Sequence, residues 1–227
     1  MKLRYAVSLF VLGVLLALPA TGWSQAPVEP KDIDLIWAVK IPMRDGVKLN
    51  ATVYKPKPQA EPLPVVFTFT PYISDTYHER GMYFSRNGYV FMLVDVRGRG
   101  NSAGAFEPLA NEGRDGHDIV EWLARQPWSN GKVAMWGYSY GGFDQWSTLK
   151  EFPPHLATIV PVASSHPAVA FALGNNIFYP WDMMAWITLT SGVTGNRNLW
   201  GEDSFWSAKF RELYLGHRAF RELDKIV

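Results

Sequence analysis

No cysteine occurs among the 227 residues. Disulfides, thiolate nucleophiles and Cys-ligated metal sites are therefore excluded together, and thiol usage says nothing of the redox compartment. An excess of one charge is lacking as well, since 22 Lys and Arg stand against 21 Asp and Glu, a formal charge of +1. Without a basic surplus there is no bulk electrostatic source for holding phosphates, and no nucleic-acid partner is expected. A solenoid period is also missing: Phe210 to Leu213 recurs as Phe220 to Leu223, but so short a spacing fits an amphipathic helix and not a structural repeat. What the chain has in quantity is apolar and aromatic surface, with 48% hydrophobic and 15% aromatic residues, enough to exclude global disorder.

Long hydrophobic runs are scarce too, and the single long one is at the N-terminus. Lys2 and Arg4 precede an uncharged stretch from Ala6 to Ala20, which has the length of a signal-peptide h-region and falls short of the ~20 residues of a spanning helix. Residues 1–26 are read as a secretory signal, with cleavage after Gly22, Ser24 or Ala26 left open and an uncleaved anchor as the alternative. In a bacterium either option exports the remainder to the periplasm or the medium.

From residue 27 to residue 165 strands and helices alternate, the pattern of a parallel sheet covered by helices. Ile33 to Ile41 and Val47 to Tyr54 are β-prone runs joined through Arg44-Asp45-Gly46, which predicts a hairpin. Prolines 56, 58, 62 and 64 punctuate a loop. Val65 to Thr70 and Tyr89 to Val94 are continuous apolar runs of the kind buried on both faces, with a helix predicted between them near Tyr77 to Arg86. A helix is predicted from Arg114 to Gln126, stopped by Pro127. A short strand from Val133 to Trp136, entered through a turn at Asn130-Gly131-Lys132, leads into a further helix, and Leu156 to Val162 is predicted as one more buried strand. From His166 to the end no clear strand is visible. Trp181, Trp186, Trp200 and Trp206 cluster there, and the tail has helical spacing.

The chemistry concentrates in Gly137-Tyr138-Ser139-Tyr140-Gly141, a G-x-S-x-G pattern. Three fixed positions of common residue types match by chance in about 7% of chains of this length, so the context decides. Here the pattern follows a buried strand and precedes a helix, as a nucleophile elbow requires. In such a turn, side chains at Gly137 and Gly141 would collide with the neighbouring strand and helix. Ser139 Oγ is then presented at the C-terminal edge of the sheet, where the N-terminus of the next helix suits a developing oxyanion. Tyr72 follows the Val65 to Thr70 strand at the same edge, and its phenol can donate one hydrogen bond. Arg97 and Arg99 are read as solvated loop residues.

Several further motifs carry a family resemblance: Arg44-Asp45-Gly46-Val47, Thr70-Pro71-Tyr72, Asp95-Val96-Arg97-Gly98-Arg99-Gly100-Asn101-Ser102, Asn111-Glu112-Gly113 through Leu123, Gln126-Pro127-Trp128-Ser129-Asn130-Gly131 and the Ser139 elbow. In this order they resemble the cocaine-esterase/X-Pro dipeptidyl-peptidase family of α/β-hydrolases. The resemblance implies an α/β-hydrolase sheet with an N-terminal hairpin and a helical cap over residues 166–227. It also implies Ser139 as nucleophile, with the Tyr140 amide and the Tyr72 hydroxyl as oxyanion donors. The aromatic residues from Phe178 to Trp206 would be cap core or the wall of an apolar acyl pocket.

A serine hydrolase needs a base and an acid that orients it, which in this fold follow the nucleophile in the order acid, then histidine. After Ser139 the histidines are His155, at a helix end after Pro153-Pro154, His166, with no candidate acid strand before it, and His217, which has Asp182, Glu202 and Asp203 upstream but sits in a helical stretch resembling the cap. All three are read as surface residues, and the acid, the base and the C-terminal part of the fold are expected beyond Val227. The expected function is an exported serine hydrolase of esterase or acylase type working through an acyl-serine. The alternatives are an X-Pro dipeptidyl-peptidase and a non-catalytic hydrolase fragment. A small ester, amide or short peptide is the expected substrate, with no cofactor and no metal.

Overall fold

Six strands alternate with three helices along most of the chain. The structure, a computed structural model, describes residues 32–73, 77–164, 173–174, 177–178, 186 and 189–190. The signal expected in residues 1–26, and most of the cap expected in residues 166–227, lie outside the described residues.

The strands are β1 (Ile33–Pro42), β2 (Lys48–Pro56), β3 (Leu63–Thr70), β4 (Val90–Asp95), β5 (Ser129–Tyr138) and β6 (Leu156–Val162). They form one sheet in the order β1-β2-β4-β3-β5-β6. β1 and β2 are the expected hairpin, closed by Met43 N–H to Val47 O at 2.8 Å and Gly46 N–H to Met43 O at 2.9 Å. Gly46 has φ 87°, a left-handed conformation that glycine adopts without a steric penalty. β2 runs antiparallel to β4; β4, β3, β5 and β6 are mutually parallel. This is an α/β sheet with an N-terminal hairpin, as the family resemblance implies, and the hairpin makes it mixed rather than wholly parallel.

Parallel strands must be joined by crossovers, and here helices supply them. Helix α1 (His78–Arg86) links β3 to β4, α2 (Glu112–Ala124) links β4 to β5, and α3 (Tyr140–Leu149) links β5 to β6. Alternation along β3 divides the core. Val65, Phe67 and Phe69 pack with Met92, Val94, Ile119, Val120 and Leu123 on the α2 side, while Val66 packs with Phe91, Leu93 and Met82 on the α1 side. Burial on both faces explains why β3 and β4 read as continuous apolar runs rather than alternating ones. Among the described residues no helix is long and apolar enough to cross a membrane.

Three local expectations are corrected. β5 begins at Ser129, so the Asn130-Gly131-Lys132 tripeptide is not a turn before the strand but a bulge within it. Leu63 pairs with Ser129 while Val65 pairs with Val133, and Gly131 carries φ 84°, as a bulge that re-aims a strand requires. β6 is not buried. Among the described residues it pairs only with β5, and Val160 and Val162 are 47% and 43% exposed. Beyond His166, β7 (Leu173–Gly174) and β8 (Ile177–Phe178) form an antiparallel pair, each strand too short for a two-residue period to register in the sequence.

Candidate active site

β5 ends at Tyr138 and α3 begins at Tyr140, leaving Ser139 alone at the junction. Its φ of 56° and ψ of −121° are unfavourable for a residue with a Cβ, and such strain persists only where the surroundings over-determine it. The constraints are visible. Ser139 N–H donates to Val162 O at 3.0 Å, while Ser139 O accepts Gly142 N–H at 2.9 Å and Phe143 N–H at 3.1 Å. A Cβ on Gly137 would stand 2.9 Å from Gly141 O, and one on Gly141 would stand 3.1 Å from Phe69 O. Close backbone approach therefore demands glycine at 137 and leaves little room for a side chain at 141.

Gln145, one turn into α3 and fully buried, ties the elbow together. Its Nε2 donates to Gly141 O at 2.8 Å and Gly137 O at 3.2 Å, and its Oε1 accepts Val160 N–H at 2.8 Å. The sequence reading missed this residue. A glutamine six positions after the serine carries no pattern until α3, β5 and β6 are packed together.

Tyr72 follows β3, with its N–H bonded to Thr70 Oγ1 at 3.1 Å. Its hydroxyl lies 3.1 Å from Ser139 Oγ, so the structure brings together the predicted nucleophile and the predicted donor across 67 positions of sequence. Tyr140, whose amide opens α3, is buried. Its hydroxyl donates to Glu112 Oε1 at 2.5 Å and accepts Leu109 N–H at 2.7 Å, which anchors the first residue of α3 to the start of α2. Burial, with the carboxyls of Asp144 and Glu112 nearby, pushes the Tyr140 phenol far above its ordinary range, so it stays a neutral donor.

Residues 45–226 match the model of the X-Pro dipeptidyl-peptidase (S15) family. The chain belongs to that family. It is 34% identical over 133 residues to cocaine esterase from Rhodococcus sp. (strain MB1 Bresler), a match covering 56% of this chain and 23% of that protein. Among solved structures it is similar to an α-amino acid ester hydrolase, with a TM-score of 0.64 and 27% identity over 78% of this chain and 34% of that one. It is also similar to an aminopeptidase from a marine sediment Thaumarchaeota archaeon, with a TM-score of 0.63 and 28% identity over 76% and 33%. The sheet and helices described above are accordingly part of an α/β-hydrolase fold. The chain spans between about a quarter and a third of the length of these relatives.

Within this S15 chain the two loop arginines are not solvated, which corrects the expectation from sequence. Arg99 has no exposed surface. Its Nε donates to Pro71 O at 2.8 Å, Nη1 to Thr190 O at 2.8 Å and Nη2 to Leu189 O at 3.4 Å, and its guanidinium lies 5.9 Å from the centre of the Phe106 ring. Burial lowers its pKa, with Asp95 opposing. Arg97 grips Asp115 through Nε at 2.5 Å and Nη2 at 2.6 Å, and reaches Asp45 through Nη1 at 2.6 Å. The planar fork suits such bidentate pairing. The hydrogen bonds that it donates to Asp115 raise the Arg97 pKa. Neither the ion pairing of Arg97 nor the burial of Arg99 could be recognised from Gly-flanked loop residues alone.

His155 is exposed, as expected, and its Nδ1 lies 2.9 Å from Glu121 Oε2. It precedes β6, whereas Ser139 lies beside the far end of that strand through Val162, so it stands at the opposite edge of the sheet. His166 and His217 lie outside the described residues.

Two carboxyls remain buried near the elbow. Burial raises the Glu112 pKa against the hydrogen bonds that lower it. Asp144, wholly enclosed and beside Glu112, is raised well above the ordinary 3.8, and neither of its oxygens has a hydrogen-bond partner among the described residues.

Proposed function

We propose that this chain carries the nucleophile and the oxyanion donors of an exported serine hydrolase of esterase or acylase type. The observation that carries the reading is the strained Ser139 elbow with the Tyr72 hydroxyl 3.1 Å from its Oγ. Family membership and the esterase and ester hydrolase relatives support it. The signal-like composition of residues 1–26 supports export.

In this reading Ser139 Oγ attacks the carbonyl carbon of a small ester or amide, and its proton leaves through a general base. The carbonyl oxygen takes on negative charge beside the Tyr72 O–H and the Tyr140 N–H, which are already oriented and so need no reorganisation as the charge develops. Collapse of the tetrahedral intermediate expels the alcohol or amine and leaves an acyl-Ser139 ester. Water then attacks the ester and releases the acid. A second reading, removal of X-Pro dipeptides, is favoured by the description of the matching family and by the aminopeptidase relative. It uses the same residues with a peptide as the acyl donor.

A fluorophosphonate probe tests the reading on the protein that carries the general base as well: it should label at Ser139, and Ser139→Ala should not. A wild type that fails to label overturns catalysis by this chain and leaves a non-catalytic, ligand-binding role. Release of nitrophenol from p-nitrophenyl esters, set against release of aniline from X-Pro anilides, distinguishes the two substrate classes.

A further inference from the structure

Trp186 touches both residues assigned above as oxyanion donors. Its indole Nε1–H donates to the Tyr72 hydroxyl at 3.1 Å, and its ring stacks on Tyr140 with centroids 5.7 Å apart and planes inclined by 15°. The indole nitrogen can only donate, so the Tyr72 oxygen must accept on that side. A phenol hydrogen lies in the ring plane and points to one side of the oxygen or the other. With the indole N–H donating to that oxygen, the Tyr72 hydrogen is turned away from the indole and left for its other partner, Ser139 Oγ, 3.1 Å away. That contact alone could run in either direction. The indole removes the ambiguity, making Tyr72 the donor and leaving the Ser139 proton unengaged by Tyr72 and available to a base.

We propose that Trp186 is a positioning residue that aims the Tyr72 hydroxyl proton at Ser139. The inference rests on the hydrolase reading and deepens it. The placement of Trp186 is itself secured. Thr190 Oγ1 donates to Trp186 O at 2.9 Å, and the buried Arg99 guanidinium joins the carbonyls of Leu189 and Thr190 to that of Pro71. One side chain therefore holds the backbone on both sides of the Tyr72–Trp186 contact. The consequence for rate is that the oxyanion donor is oriented before attack, and losing one such orienting hydrogen bond slows acylation roughly 3- to 10-fold.

Two measurements on the whole chain decide it. In the first, indole nitrogens are labelled with 15N and the Trp186 resonance is assigned through its contact with the Tyr140 ring. Tyr72→Phe should move that resonance upfield and speed its hydrogen exchange while leaving the other indoles in place. An unmoved Trp186 resonance overturns the proposal, and this arm keeps Trp186 itself intact. In the second, the rate of fluorophosphonate labelling at Ser139 is compared in wild type, Trp186→Phe, Tyr72→Phe and the double variant. Trp186→Phe should lower the maximal labelling rate without changing half-saturation, and it should have no further effect once Tyr72 is Phe. A Trp186→Phe loss of equal size in both backgrounds means packing alone and overturns the proposal. A wild type that never labels overturns the hydrolase reading instead, and the indole resonance then decides the Trp186–Tyr72 contact by itself.

Discussion

At the position of Ser139 the backbone is left-handed and strained, and the hydroxyl beside it belongs to a tyrosine rather than to a second backbone amide. Removing that hydroxyl leaves the ring, the elbow and the Tyr140 amide in place. Tyr72→Phe should therefore lower kcat by about 10² to 10³ with little change in KM, the signature of a donor used in the transition state; an unchanged kcat would exclude Tyr72 from the oxyanion hole. Asp144 makes a separate prediction. Burial beside Glu112 lifts its carboxyl well above 3.8, so the folded chain retains a proton that the unfolded chain releases. Its contribution to stability is thus complete below the unfolded value and is lost as pH rises through the folded one. Asp144→Asn keeps the shape and removes the ionisation. It should raise Tm at pH 8 by at least ~2 °C, with a gain that shrinks toward zero by pH 3. A gain independent of pH between 3 and 8, measured by thermal melts, would contradict this account.

Among the elements, α2 and α3 approach so closely that their contact face carries glycine. A Cβ on Gly113 would meet the Ser147 carbonyl oxygen at 2.7 Å, and one on Gly116 would run into the Thr148 side chain. At Gly113 the obstacle is backbone, which cannot rotate away. Gly113→Ala should destabilise by about 1–3 kcal/mol through overpacking, despite the better helix propensity of alanine, as read from the denaturant midpoint. The same helix pair carries the Glu112–Tyr140 hydrogen bond, so labelling of Ser139 should fall along with stability. The strands divide differently. β3 and β4 were legible because burial on both faces leaves a continuous apolar run, and α2 because its apolar residues share one face. The Asn130-Gly131 bulge was not, since the same dipeptide makes a turn or a bulge according to the strand beside it.

On the scale of the molecule, β6 pairs with β5 alone among the described residues. Val160 and Val162 are half exposed, and Phe152, just before the strand, is 83% exposed. Local pattern by itself determined the strand and helix order, the hairpin at Gly46 and the elbow at Ser139, because periodicity and turn chemistry act within a few residues. It placed Tyr72 at the right edge of the sheet. Only the tertiary structure decided that Arg97 pairs with Asp115 and Asp45, that Arg99 is buried, that the valines of β6 are half exposed, and that Trp186 reaches Tyr72 across 114 positions. Those outcomes depend on which surfaces meet once the sheet is assembled, and no property of an isolated arginine, valine or tryptophan carries that information.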